Sequence, residues 1–154
     1  MARAPRALFG VVAIAEAVSW TLLIAGLVLR AALGLDVAVT IGGAVHGLVF
    51  LAYVASTVVV ALNQRWGAGV TTVAVASAVI PYATIPVELW LRRSGRLHGS
   101  WRLDESEHPR DRTWHDRALR AFLRHPIAFT AVLVLVVVVV FVVLLAVGPP
   151  GGRD

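Results

Sequence analysis

Three ionisable residues, Glu16, His46 and Glu88, lie inside long apolar stretches of this sequence. A charged side chain near the middle of a bilayer costs roughly 2.5–3.5 kcal/mol on an insertion scale, so such residues mark ligand sites, proton relays or buried polar pairs. A carboxylate and an imidazole on neighbouring helices have the chemistry for each of these roles. Two interpretations of Glu16 and His46 stay open: a hydrogen-bonded pair that fixes helix register, or a site that handles a ligand or protons.

Each of the three residues belongs to a polar stripe with helical spacing. Residues three, four, seven or eleven positions apart lie on one face of a helix. The stripes are Glu16, Ser19 and Trp20; His46, Phe50, Tyr53 and Thr57; and Ser77, Pro81, Thr84 and Glu88. Three such faces are best placed against one another, inside a bundle. We therefore predict an intramembrane polar site formed by Glu16, Ser19, His46, Tyr53, Thr84 and Glu88.

The depth of these residues limits which of them can pair. A rise of 1.5 Å per residue places Glu16 and His46 roughly 5–10 Å apart in depth if their helices are antiparallel. The sequence therefore permits a direct contact, or one bridged by a water or hydroxyl group, without fixing either. Glu88 has Arg92 four residues later, and we expect an ordinary helix-end ion pair there.

Four hydrophobic segments position these side chains: residues 8–29, 37–62, 70–91 and 127–147. About 20 apolar residues suffice to cross the hydrocarbon core as a helix, and lipid offers no partner for open backbone groups. The composition, 58% hydrophobic and 15% charged, is also unlike that of soluble domains. We predict an all-α membrane protein: a three-helix antiparallel transmembrane bundle, an amphipathic interfacial helix and a fourth transmembrane helix.

The predicted domains follow from this pattern. Residues 1–93 form the three-helix domain, 94–125 an arginine-rich polar connection, 126–148 the fourth helix and 149–154 a short polar tail. We expect residues 93–110 to form a mobile loop. Residues from about 111 to 124 have an amphipathic pattern, with Trp114, Ala118, Ala121 and Phe122 on one side. This helix either lies at the membrane interface or docks a cytoplasmic partner.

The arginines predict both orientation and lipid contacts. Nine of the fourteen lie in residues 92–125, which favours a cytoplasmic connection with both termini outside, in a multi-pass protein of the plasma membrane. Ten arginines would then be inside, those nine and Arg30, with four outside. We expect the arginines of 92–125 to contact anionic lipid headgroups, and we expect no nucleic acid partner.

Two local patterns concern packing. Gly43 and Gly47 form a small-xxx-small motif around His46 that allows another helix to approach closely. Pro81 and Pro86 each remove a backbone hydrogen bond from the third segment. The result is either a simple kink or carbonyl groups freed toward protein or a cavity.

Several kinds of site are excluded or not expected. The absence of cysteine excludes disulfides, thiolate metal sites, iron–sulfur clusters and covalently attached c-type haem. His98 and His108 have no regular ligand spacing with His115 or His125, so we expect no metal site. His46 is the one intramembrane candidate for a haem ligand, and we expect no cofactor.

Three motifs carry a resemblance to a known family. They are Glu16-Ala17-Val18-Ser19; His46-Gly47 with Phe50 and Tyr53; and Ile80-Pro81-Tyr82-Ala83-Thr84 with Glu88. In order and spacing they resemble the bacterial DUF3817 family of small three-helix membrane proteins, over about residues 8–93. Ala17 and Ala83 stand where the family tends to have glycine, and Pro86 falls inside the third motif. The resemblance implies a membrane fold with a cytoplasmic end for helix three, and it brings no activity.

The sequence leaves competing functions. We expect a non-enzymatic accessory or assembly subunit of a membrane complex, which binds a membrane-protein partner or forms a homo-oligomer. The alternative is a small carrier, or a ligand- or proton-handling protein, with its site around Glu16 and His46. An enzyme is the least expected, since no nucleophile–base pair or set of metal ligands is evident.

Overall fold

The computed structural model describes residues 4–104 and 113–147, and within them the chain folds into helices. The helices are α1 (Pro5–Leu33), α2 (Asp36–Asn63), α3 (Ala68–Ala76, extended by a 3-10 turn at Ser77–Val79), α4 (Thr84–Arg93), α5 (Trp114–Arg124) and α6 (Pro126–Val147). Three of these, α1, α2 and α6, are long and apolar enough to cross a membrane. The prediction of an all-α membrane protein is confirmed.

Helices α1 and α2 form a tight antiparallel pair. The chain reverses at Gly34, whose φ of 68° is left-handed and whose N–H bonds to the Arg30 carbonyl. Backbones then meet at two glycines. A Cβ on Gly26 would lie 2.6 Å from the Ala38 carbonyl oxygen, and one on Gly42 would lie 2.8 Å from that of Leu22.

Gly43 and Gly47, the small-xxx-small motif of the sequence, do not form this backbone contact between α1 and α2. A Cβ on Gly43 would meet only the tip of the Leu23 side chain, at 3.9 Å. A Cβ on Gly47 would meet the Phe141 ring of α6, at 3.3 Å. One residue along a helix is a rotation of about 100°, so the backbone crossing falls on Gly42, and Gly47 faces α6 instead.

The third hydrophobic segment doubles back on itself. The Ala78 carbonyl at the end of α3 lies 3.1 Å from the indole nitrogen of Trp20, and Thr84 at the start of α4 bonds to the Ala13 carbonyl. After α4, the Arg96 carbonyl accepts a hydrogen bond from the indole of Trp66, which lies just before α3 begins. The segment therefore returns to the end of the bundle from which it started. We call α3, the turn at 80–83 and α4 the helical hairpin.

The lengths of its two arms agree with this path. The first arm, α3 with its 3-10 turn, has 12 residues and α4 has 10. At 1.5 Å per residue each arm is about 15–18 Å long, roughly half the thickness of a hydrocarbon core. The tip of the hairpin lies beside residues 13–21 of α1, near the middle of that helix.

The hairpin corrects one detail of the predicted bundle, in which residues 70–91 were a single crossing helix. Pro81 lacks an N–H and Tyr82 has a φ of 64°, so the chain reverses at the prolines, where the sequence predicted a kink or freed carbonyl groups within one helix. Consequently the first turn of α1 and the start of the 92–125 connection lie at the same end of the bundle. The prediction placed them at opposite ends. We call this end the arginine end; it contains the first turn of α1 and the last turns of α2 and α4. The opposite end, which contains the Gly34 turn, is the far end.

The connection is anchored to the arginine end, and the expected mobile loop is not seen over residues 94–104. The Arg102 guanidinium donates to the carbonyls of Leu62 and Asn63, which end α2, and to the Asp116 carboxylate of α5, each at 2.6 Å. The Asn63 side chain bonds to the Ser100 carbonyl and the Arg102 N–H. Residues 105–110 lie outside the described residues. Arg102 thus caps α2 and fixes the connection against it.

Helix α5 packs against the bundle through a face other than the apolar side named from the sequence. Leu119 and Leu123 pack with Val59 of α2 and Phe129 of α6, beside the buried Asp116 and Arg120. Trp114, from the predicted apolar side, is 76% exposed. The Arg102–Asp116 contact explains the difference, because it turns Asp116 toward the bundle. The start predicted near 111 lies outside the described residues.

Prediction for the helix crossing. Gly42→Ala should destabilise the protein by about 1–3 kcal/mol, because the added methyl group must push the α1 backbone away. Gly43→Ala is the matched control, since it makes the same change on the next residue with room for the methyl group. Unfolding of the purified variants in detergent, followed by circular dichroism, measures both. Equal stability of the two variants would contradict the assigned crossing.

Candidate functional site

The candidate site begins with a hydroxyl group shared by Glu16 and His46. Ser19 Oγ lies 2.9 Å from His46 Nδ1 and 3.3 Å from Glu16 Oε2, and it also lies 2.8 Å from the Glu16 backbone carbonyl. The direct separation of His46 Nδ1 and Glu16 Oε1 is 3.8 Å. With the imidazole proton on Nδ1, His46 donates to Ser19, which leaves the serine proton free for Glu16. The three side chains therefore form a connected polar cluster near the middle of α1 and α2, which we call the Glu16 cluster.

One atom of this cluster is unpaired. Glu16 is fully buried, and among the described residues its Oε1 has no hydrogen-bond partner. A buried carboxylate oxygen without a hydrogen bond is costly, so in the membrane it bonds to water, to a ligand or to a proton of its own. Oε1 is accordingly the position at which the cluster can accept a proton or a donor from a ligand.

Aromatic side chains enclose the imidazole. The rings of Trp20 and His46 are 4.4 Å apart between centroids, and Phe50 lies 6.3 Å away on the next turn of α2. The indole N–H of Trp20 is directed to the Ala78 carbonyl of the hairpin. Trp20 thus joins the Glu16 cluster to the hairpin, a role missing from the predicted site residues. Its position four residues after Glu16 was the available signal.

Tyr53 and Thr84, two of the predicted site residues, make their hydrogen bonds between the hairpin and the helices α2 and α1. The Tyr53 hydroxyl donates to the Ala74 carbonyl at 3.0 Å and lies 3.1 Å from Ser77 Oγ. Thr84 Oγ1 donates to the Ala13 carbonyl of α1 at 3.0 Å. Tyr53 is seven residues from His46, about 10 Å along α2 toward the arginine end. The predicted site residues therefore fall into two hydrogen-bonded groups, one at the Glu16 cluster and one at the hairpin.

Glu88 lies apart from both groups. Its carboxylate is 3.9 Å from the Arg92 guanidinium, in the i,i+4 arrangement expected from the sequence. It faces Gly10 near the start of α1, at the arginine end. It contributes nothing to the Glu16 cluster.

The proline positions explain why side chains must hold the hairpin. Pro81 and Pro86 cannot donate to the carbonyls of Ser77 and Tyr82, which instead accept from Ile80 and Ile85, three residues on. Ala78 lies at the end of the 3-10 turn, and its carbonyl lies within hydrogen-bond distance of the Trp20 indole. Backbone groups opened by prolines inside a membrane need such partners. For the Ala78 carbonyl, the indole of Trp20 on α1 supplies this partner.

The tip of the hairpin is exposed at the depth of the Glu16 cluster. Ile80 is 59% and Tyr82 44% exposed, and Pro81 between them is exposed as well. The Tyr82 hydroxyl lies 3.3 Å from Thr21 Oγ1 on α1. Non-helical backbone is thus present near the middle of the membrane-spanning helices, at the outer face of the bundle.

Comparison with known families finds a match for the part of the chain that contains the Glu16 cluster and the hairpin. A family model described as a domain of unknown function, DUF3817, matches residues 6–93, which cover α1, α2 and the hairpin. The chain belongs to the DUF3817 family. The resemblance predicted from the three motifs is confirmed. Helices α5 and α6 lie outside the match.

A relative of known sequence agrees with this membership. A putative membrane protein of Streptomyces coelicolor is 43% identical over 88 residues, which are 56% of this chain. The aligned segment is only 10% of that relative's length, so the relative is much the longer protein. No solved structure matches the chain.

Prediction for the hairpin. Tyr53→Phe removes the hydroxyl that bonds to Ala74 and Ser77, and it should lower the free energy of unfolding by about 1 kcal/mol. Tyr82→Phe removes an exposed hydroxyl at the tip and should change stability less. Hydrogen exchange of the α3 amides in detergent, compared between the two variants, locates the effect. Faster exchange in Tyr82→Phe than in Tyr53→Phe would contradict the assignment.

Proposed function

We propose that this DUF3817 protein is a non-enzymatic accessory subunit of a membrane complex, and that it binds its partner through the tip of the hairpin. The observation that carries the proposal is the exposure of Ile80, Pro81 and Tyr82 at mid-depth. Irregular backbone at this depth occurs where protein covers it or where it lines a water-filled cavity, because lipid offers no hydrogen bonds. A neighbouring membrane protein supplies the missing cover.

Two further features support a partner at this face. The tip presents a proline, an aliphatic and an aromatic side chain beside the Thr21 hydroxyl, which suits packing against another helix with an interhelical hydrogen bond. The Streptomyces coelicolor relative carries the matching segment inside a chain about ten times longer, so there the segment is covalently joined to further protein.

A second candidate function is favoured by the unpaired Glu16 Oε1, which supports a ligand- or proton-handling site at the Glu16 cluster. Such a site would sit behind the Trp20 ring, next to the hairpin tip. If a small molecule extracted with the wild-type protein is lost from a folded Glu16→Gln variant, this candidate is favoured over a purely structural cluster.

Prediction for the partner surface. A photo-crosslinking benzoylphenylalanine in place of Ile80 should form a protein adduct in native membranes, because the tip is covered there. The same residue in place of Val139, an exposed position on α6, is the control and should yield lipid adducts alone. Gel electrophoresis and mass spectrometry identify the adducts, whether a second copy or another membrane protein. Lipid adducts alone at Ile80 as well would contradict the proposal.

We also infer an orientation, with the arginine end in the cytoplasm and the C-terminal end of α6 outside. Of the ten arginines in the described residues, nine belong to the arginine end and its connection, and one, Arg30, belongs to the far end. Arginine near the ends of membrane-spanning segments is retained on the cytoplasmic side. The hairpin supports this orientation, because it brings Arg6 and the connection to the same end of the bundle.

Prediction for the orientation. The chain has no cysteine, so single cysteines report sidedness without background. Ala68→Cys and His98→Cys, before and after the hairpin, should react with a membrane-impermeant maleimide only in permeabilised cells. Ala32→Cys at the far end should react in intact cells. Labelling of Ala68→Cys and His98→Cys from opposite sides of the membrane would contradict both the hairpin and the orientation.

A further inference from the structure

A groove runs between the first half of α1 and helix α4. It has a volume of about 610 Å³, and its lining runs from the arginine end toward the hairpin tip; we call the part at the arginine end its mouth. Arg6 and Arg92 lie at its mouth, while Gly10, Ile14, Ile85 and Leu89 line it further toward the hairpin tip. The groove exists because α1 presents Ala7 and Gly10 here, so that no large side chain fills the space beside α4.

The mouth of the groove is suited to a phosphate group. Arg6 is exposed, and Arg92 is half-exposed with only a loose contact, 3.9 Å, to the Glu88 carboxylate. Each guanidinium therefore keeps N–H groups that can donate to an anion. Arginine binds phosphate oxygens through two parallel hydrogen bonds, which makes it the usual residue for this purpose. With Glu88 included, the three charged groups sum to one positive charge, which complements one phosphodiester.

The rest of the groove is suited to a hydrocarbon chain. From Arg6 to Ile14 it follows eight residues of α1, which is about 12 Å along the helix. Between Glu88 and the hairpin tip, its walls are apolar. The groove thus runs from the arginine end toward the middle of the bundle. A phospholipid matches this order of charged and apolar parts. Its charged phosphate lies at the membrane interface, and its acyl chain extends from there toward the middle of the bilayer. Basic pockets between membrane helices bind anionic headgroups in this way.

We propose that this groove binds one anionic glycerophospholipid, with its phosphate between Arg6 and Arg92 and one acyl chain along Gly10, Ile14, Ile85 and Leu89. The site is distinct from the attraction of the many other arginines for the membrane surface, since it requires these two side chains and this space. It is also separate from the Glu16 cluster and from the hairpin tip. The bound lipid stabilises the contact between α1 and α4, which is one side of the hairpin.

The experiment measures retention of lipid by the full-length protein with native mass spectrometry. The probe is phosphatidylglycerol, compared with phosphatidylcholine of the same acyl chains. The double variant Arg6→Ala/Arg92→Ala should weaken phosphatidylglycerol binding about tenfold or more, since it removes two charge-assisted contacts. The control Arg93→Ala/Arg117→Ala removes the same charge from exposed positions at the arginine end outside the groove, and it should bind as the wild type does.

A third variant tests the apolar part of the groove. Gly10→Leu fills it without touching either arginine, and its Cβ meets only a Glu88 oxygen, at an ordinary 3.8 Å. Binding should again weaken about tenfold, with helix content unchanged. Equal losses in the two arginine double variants would show a diffuse surface effect and overturn the proposal. Equal retention of phosphatidylcholine, or normal binding by a folded Gly10→Leu variant, would overturn it as well.

Discussion

Hydrogen bonds to the backbone of the hairpin are the interaction on which the rest of this fold depends. Inside a membrane, a carbonyl group left open by a turn has no water to bond with, so the protein must supply its partner. Tyr53 of α2 bonds to α3, Trp20 of α1 reaches the Ala78 carbonyl, and Thr84 of α4 bonds back to α1. These contacts allow a segment to enter the bundle, turn at mid-depth and return. One member of each polar stripe, Trp20 on α1 and Tyr53 on α2, therefore serves to hold the hairpin.

The return of the hairpin determines what lies at each end of the molecule. It brings the start of the 92–125 connection beside the first turn of α1 and the last turn of α2, where Arg102 caps the end of α2 and contacts α5. The arginines are thereby collected at one end, and α6 runs toward the other. The far half of the bundle contains α1, α2 and α6 but not the hairpin. The Glu16 cluster lies at the depth of the hairpin tip, to which Trp20 connects it.

Part of this arrangement follows from the sequence alone. The spacing of Glu16 and Ser19, and the depth of His46 on an antiparallel helix, permit a contact that is direct or bridged by a water or hydroxyl group, and the structure shows the bridge, Ser19 Oγ. The membrane class follows from the length and apolarity of α1, α2 and α6. These features depend on helical periodicity and on hydropathy, both of which are local properties of the chain.

Other features depend on contacts that periodicity does not encode. A 22-residue apolar segment has the same hydropathy whether it crosses the membrane or turns at Pro81, and only Tyr53 and the Trp20 indole decide between the two paths. In the same way, Gly42 and Gly43 are adjacent glycines with equal propensity, and the crossing angle of α1 and α2 selects Gly42. The inward face of α5 is chosen by the contact between Arg102 and Asp116.

The central claim, that residues 68–93 form a returning hairpin, is tested most directly by one distance. A double variant of this cysteine-free chain carries one spin-labelled cysteine at Ala68 and one at Ser94, and it is reconstituted in lipid nanodiscs. Pulsed electron paramagnetic resonance then measures the distance between the two ends of the hairpin. A hairpin predicts a separation on the order of 10–20 Å, since helices pack side by side at about 8–10 Å between axes. A single crossing helix would separate the same residues by about 39 Å at 1.5 Å per residue, and that result would contradict this account.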